Sequence, residues 1–182
     1  MATATSLLRQ YFSPLKELPC WHVTAEYGSW LSLRFGEPHL KVREANPQAK
    51  AKALQRRAVF IEGDYLLWIE MGAWELFQNT RLEFHSEQSR AYLRRAAARL
   101  DGQKLVRVDL SSDGNQTKFA FDLGSTLVVL PKKRAEADDP LWHMYCQSKA
   151  RSLLANGELQ YGSASTSISK RVKEAGNVSY AA

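Results

Sequence analysis

The sequence predicts an α+β domain dominated by antiparallel β-hairpins: two β-meanders forming one sheet or a partly open barrel, with helices at about 86–100 and 141–154. Short stretches of apolar and polar alternation, closed by Gly or Pro turns, recur over 20–77 and again over 105–130. That is the period of strands with one buried face. A single long stretch, 86–100, changes to helical spacing. With 45% hydrophobic residues in a chain of 182, there is enough apolar material for one core.

In the first meander, strands are expected at 20–25, 29–35 and 39–43. Trp30, Ser32 and Arg34 alternate there with Leu31, Leu33 and Phe35. Gly28-Ser29 and Gly36-Glu37-Pro38 supply the turns, since Gly accepts positive φ and Pro cannot donate to a central ladder. Asn46-Pro47 reads as an N-cap followed by Pro at the first helical position, which predicts a short, exposed, basic helix or an ordered loop. Val59 to Ile61, the turn Glu62-Gly63-Asp64 and Tyr65 to Met71 form the next expected hairpin. Its second strand is apolar on both faces, as a central strand is. A further strand is expected from Gly72 to about Phe77.

Ser86 stands as N-cap of the helix and Gly102 just past its end. Tyr92, Leu93, Ala96, Ala97 and Leu100 share one face, and Arg90, Arg94, Arg95 and Arg99 flank or oppose it. Beyond it, strands are expected at 105–110, 117–123 and 126–130, with turns at 112–115 and 124–125. Setting Leu31, Leu33, Phe35, Gly36, Leu40 and Val42 beside Phe119, Phe121, Leu123, Gly124, Leu127 and Val129 gives a common pattern. Degenerate duplication is one reading of it, and the grammar shared by any two meanders is the other. Asp139-Pro140 repeats the N-cap and Pro signal, so 141–154 is expected to be helical. The domain is expected to span 1–160, with 161–182 a Ser/Gly-rich basic tail ordered only when a partner holds it.

The formal charge of +6 raises the odds of an acidic or polyanionic partner. Two widely spaced cysteines, Cys20 and Cys146, fit a reducing compartment, and the first twelve residues lack the basic and apolar regions of a leader. No stretch approaches the roughly 18 apolar residues of a membrane span. A cytoplasmic protein without membrane contact is therefore expected.

Residues 119–126, Phe-Ala-Phe-Asp-Leu-Gly-Ser-Thr, look like the phosphate-binding turn of the actin and sugar-kinase superfamily. That family places the turn near the start of a much longer chain, and a hairpin needs the same Gly. Cys20 and His22 share a strand face, and His143 and Cys146 would share a helix face, a donor set that zinc accepts. Their spacings match no zinc finger, and burial of small hydrophobic Cys competes with ligation. His85-Ser86-Glu87 begins a zinc-deaminase signature that is not completed. The acids Glu62, Asp64 and Glu70 lie on one expected hairpin, where a turn acid is more often solvated than catalytic. Nucleophile-elbow, P-loop and His-Glu-x-x-His patterns are missing from the sequence. No catalytic residue, cofactor or metal is expected.

Binding is the remaining class. Trp30 is the one tryptophan whose strand position points away from the apolar side, and exposed aromatics are favoured interface anchors. Basic clusters at Arg90, Arg94, Arg95 and Arg99, at Lys132, Lys133 and Arg134, at 50–57 and at 170–173 would bind polyanions where they converge. The expected partner-binding set is Trp30, Arg34, Arg90, Arg94, Arg95, Lys132, Lys133 and Arg134.

Trp21-His22-Val23, Gly28-Ser29-Trp30-Leu31-Ser32-Leu33-Arg34-Phe35-Gly36, Gly63 and Ala73-Trp74 together resemble a group of small bacterial proteins of unassigned function. The resemblance covers about the first half and implies a fold, not a catalytic residue. Proteins of that profile are often accessory, immunity or regulatory partners. The expectation is thus a non-enzymatic protein-binding module, of immunity or defence-accessory type, with a nucleic-acid-binding module using the basic patches as the alternative. The chain's basic charge argues against neutralising a basic nuclease, whose inhibitor is normally acidic.

Overall fold

The computed structural model describes residues 4–25, 29–147 and 149–163. In chain order the elements are α1 (Ala4–Phe12), β1 (Trp21–Ala25), β2 (Leu31–Phe35), β3 (His39–Arg43), β4 (Ala58–Glu62), β5 (Tyr65–Ile69), β6 (Ala73–Gln78), β7 (Arg81–His85), α2 (Arg90–Leu100), β8 (Leu105–Leu110), β9 (Thr117–Phe121), β10 (Ser125–Leu130), β11 (Pro140–Cys146), β12 (Lys149–Leu154) and β13 (Leu159–Ser163). All strand pairs are antiparallel. The α+β class holds, but the strands form two sheets and a separate ribbon where one sheet or a partly open barrel was expected. A six-stranded sheet runs β1-β2-β5-β11-β12-β13, a five-stranded sheet runs β7-β6-β10-β9-β8, and β3-β4 stand alone.

The two sheets face each other across one core. Leu31, Ile69, Trp142 and Leu153 form a continuous row across the six-stranded sheet, and all four are fully buried. The opposing sheet contributes Trp74, Leu76, Phe119, Leu127 and Val129. Trp142 donates its indole N–H to the Thr117 hydroxyl at 2.9 Å, and Trp74 donates to the Ser29 carbonyl at 2.7 Å, so two buried polar tips are satisfied across the layers. Helix α2 packs Leu93, Ala96, Ala97 and Leu100 inward over β1 and β7. Helix α1, which the sequence reading did not anticipate, closes the β8 side with Leu8, Tyr11 and Phe12.

Several expectations need correction. The 141–154 segment is not a helix: it is the β11-β12 hairpin, turned at Gln147 with φ of 53°. Its Ala, Lys, Arg and Leu residues favour helix locally, but Trp142 and Met144 alternate with His143 and Tyr145 between β5 and β12, and burial on a sheet overrides propensity. Pro140 therefore opens a strand, and the Asp139 carboxylate accepts the Glu136 N–H in the preceding loop. Helix α2 starts after Ser89, because Ser86 still extends the ladder to Trp74 through its backbone and hydroxyl. Tyr161 to Ser163, expected in the tail, belong to β13, and 164–182 lie outside the described residues.

The first meander is also different. β2 pairs with β5, and β3 pairs with β4, so 31–43 and 58–69 form one long hairpin bent in the middle. β9 and β10, in contrast, turn directly into each other at Gly124, so the two segments compared as duplicates pair differently. The bend lies where Gly36-Glu37-Pro38 faces Gly63-Asp64. Gly36 has φ of 80°, the Asp64 carboxylate accepts the Glu37 N–H at 2.8 Å, and the Trp21 indole donates to the Gly36 carbonyl at 2.9 Å. A Cβ on Gly63 would stand 2.5 Å from the Phe35 carbonyl oxygen and 3.1 Å from Trp21. Gly63→Ala is therefore expected to cost about 2 kcal/mol, measurable by thermal denaturation.

Candidate functional site

The bend carries the β3-β4 ribbon away from the sandwich and gives it two unlike faces. Leu40 lies opposite Ile61, and Val42 opposite Val59, so these four side chains share one face. They are exposed by 71, 52, 51 and 58%, respectively. His39, Lys41 and Arg43, with Phe60 and Glu62 opposite, take the other face. There Lys41 pairs with Glu62 at 3.1 Å and Arg43 sits over the Phe60 ring at 5.2 Å. Beyond the strands the chain makes a short 3₁₀ turn, Lys52–Gln55, and presents Lys50, Lys52 and Arg56 to solvent. Arg57 is held by Glu44 at 2.9 Å.

The polar face of the ribbon overhangs the outer face of the six-stranded sheet. Between them is a hollow of about 420 Å³, bordered by His39, Lys41 and Glu62 from the ribbon and by Arg34, Trp68 and Tyr145 from the sheet. Arg34, half-buried, donates to the His22 carbonyl at 3.3 Å. Trp30 is less exposed than its strand position implied: it is half-buried and meets Trp68 edge to face at 5.5 Å. The sheet register then runs from Trp68 to His143 and Ser152.

That register brings together a group that sequence reasoning missed. His143 Nε2 lies 3.3 Å from the Glu70 carboxylate, and its Nδ1 lies 2.5 Å from the Ser152 hydroxyl, with all three residues buried. Placing His143 on a helix hid this, since only strand register sets it beside residues 73 positions before and nine after. The Ser152 hydrogen bond ties β11 to β12, and the Glu70 carboxylate, in the residue that follows β5, lies within ion-pair distance of the same imidazole. The hollow's lining stops at Trp68 and Tyr145, short of Ser152.

The four side chains weighed as zinc donors, Cys20, His22, His143 and Cys146, do not converge. β1 and β11 are separated by β2 and β5, about 14 Å at ordinary strand spacing. Cys20 is fully buried and donates its thiol to the Leu100 carbonyl at 3.0 Å. Burial, and next the nearby Asp101 charge, push its pKa up to about 12. Burial and the raised pKa both keep Cys20 unreactive near neutral pH, so a thiol reagent should modify the half-buried Cys146 alone in the native protein and both cysteines in denaturant. The 119–126 segment is a hairpin turn: Gly124 has φ of 84°, Asp122 accepts the Lys104 N–H, and Ser125 is buried against Gln103 and Gln78.

The basic residues are distributed over separate surfaces. Arg34 lines the hollow, while Arg90, Arg94 and Arg95 lie on α2. Lys132, Lys133 and Arg134 are exposed where the chain leaves β10, at the same end of the five-stranded sheet as Arg90, with β6 between them. Arg95 turns instead toward Phe84 and Tyr92, and Arg99 toward Glu83. Among the described residues, no helix is long and apolar enough to cross a membrane. No family model, curated protein or solved structure matches the chain.

Proposed function

We propose that this chain is a non-enzymatic protein-binding module that takes its partner on the aliphatic face of the β3-β4 ribbon. The carrying observation is the cross-strand quartet Leu40, Val42, Val59 and Ile61, more than half exposed on a ribbon held clear of the core. A contiguous apolar face of this kind marks an interaction surface. The ribbon's opposite face carries Lys41, Arg43 and Glu62, charges that discourage indiscriminate strand pairing at its two free edges. Lys50, Lys52 and Arg56 at the tip fit a partner with an apolar centre and an acidic rim. Arg34, two residues before the bend, and Trp30, just beyond the far end of β2, lie on the outer sheet face under the ribbon's polar side, so the centre of binding moves from Trp30 to the aliphatic face of the ribbon. The accessory or immunity-type role rests on the first-half resemblance and on this binding surface together. Affinity capture from the native cell should retain a stoichiometric second protein under gentle conditions, and recovery of the chain alone would contradict the proposal.

A further inference from the structure

We infer that the groove between β7 and α2 is a binding site for single-stranded nucleic acid, independent of the ribbon. Arg81 and Leu82 from the edge strand, and Tyr92, Arg95 and Arg99 from the helix, surround about 240 Å³ with Glu83 and Phe84. Three guanidinium groups face one carboxylate. Arg95 lies over the Phe84 ring at 5.7 Å and over the Tyr92 ring at 5.4 Å, so two aromatic contacts hold its guanidinium at the groove. Among the described residues, neither Arg81 nor Arg95 has a carboxylate within ion-pair distance. Arg99 reaches Glu83 at 3.4 Å with its side chain half exposed, a weak pair that a phosphate can replace.

The aromatic and apolar neighbours select the form of polyanion. Tyr92 and Leu82 are exposed large side chains beside these arginines, so a base can lie against them while its phosphates meet Arg81, Arg95 and Arg99. Arginine next to a stacking ring is how proteins hold single strands without reading sequence. A duplex keeps its bases inside and leaves Tyr92 unused. Arg90 and Arg94, exposed on the same helix, extend the positive field that steers the strand inward.

Fluorescence anisotropy with the full chain and a labelled oligothymidylate about twelve nucleotides long tests this, beside a duplex and a polyglutamate of equal length. The single strand should bind best, with affinity falling with salt at a log–log slope of about −2 for three neutralised phosphates. Arg81→Gln and Arg95→Gln should each weaken binding about tenfold, and Tyr92→Leu should weaken it with the salt slope unchanged. Arg81 is exposed at the start of an edge strand, so R81Q carries the test even when R95Q proves unfolded by circular dichroism. Absence of binding at low salt, equal binding of duplex or polyglutamate, or an unchanged affinity in R81Q would overturn the inference.

Discussion

Trp142→Ala should remove about 4 kcal/mol of stability, enough to lower the thermal midpoint by on the order of 10 °C. The side chain is fully buried, stands edge to face with Phe12 at 5.3 Å and Phe119 at 6.3 Å, and links β11, α1 and β9 through three separate contacts. Truncation opens a cavity and also leaves the buried Thr117 hydroxyl without its indole donor. Both effects have the same sign. Trp142→Phe keeps one six-membered ring but loses the pyrrole atoms and with them the hydrogen bond, so its cost should be smaller than that of alanine, about 2–3 kcal/mol. Equilibrium urea denaturation of both variants measures the difference. A cost below about 1 kcal/mol for the alanine variant would mean that the sheets do not meet at Trp142 as described.

Leu40→Asp combined with Ile61→Asp should abolish partner binding while leaving the fold intact. The two residues face each other across the ribbon and are more than half exposed, so the free protein has little packing to lose there. In a complex each aliphatic side chain of the quartet contributes about 1 kcal/mol on completing its burial, and two buried carboxylates add a desolvation cost. Affinity should therefore fall on the order of a thousandfold or more. The readouts are paired: capture of the partner is lost, and the denaturation midpoint of the free chain stays within the scatter of surface substitutions. Retained capture in the double variant would move the binding surface elsewhere.

The legibility of this fold depends on how local its determinants are. β8, β9 and β10 follow from period-two alternation and from turns at Gly114 and Gly124, both of which adopt positive φ. The centrality of β5 was readable from its two apolar faces, and α2 from its spacing. β11 and β12 were hidden because good helix formers sit in a hairpin whose strand character comes from burial between β5 and β13. The ribbon was hidden for a different reason. Leu40 and Val42 alternate with His39 and Lys41 as a buried strand would, and periodicity says which residues share a face without saying whether anything covers it. The same limit applies to His143, Glu70 and Ser152, whose meeting depends on the register of three strands.

The most direct measurement places a photo-reactive amino acid at Val42, on the aliphatic face, and in a second protein at Leu123, an exposed apolar residue beside the Gly124 turn of the five-stranded sheet. Irradiation in the native cell should give a covalent adduct of one defined mass from position 42 and none from position 123. An adduct from both positions, or from 123 alone, would contradict a partner seated on the ribbon.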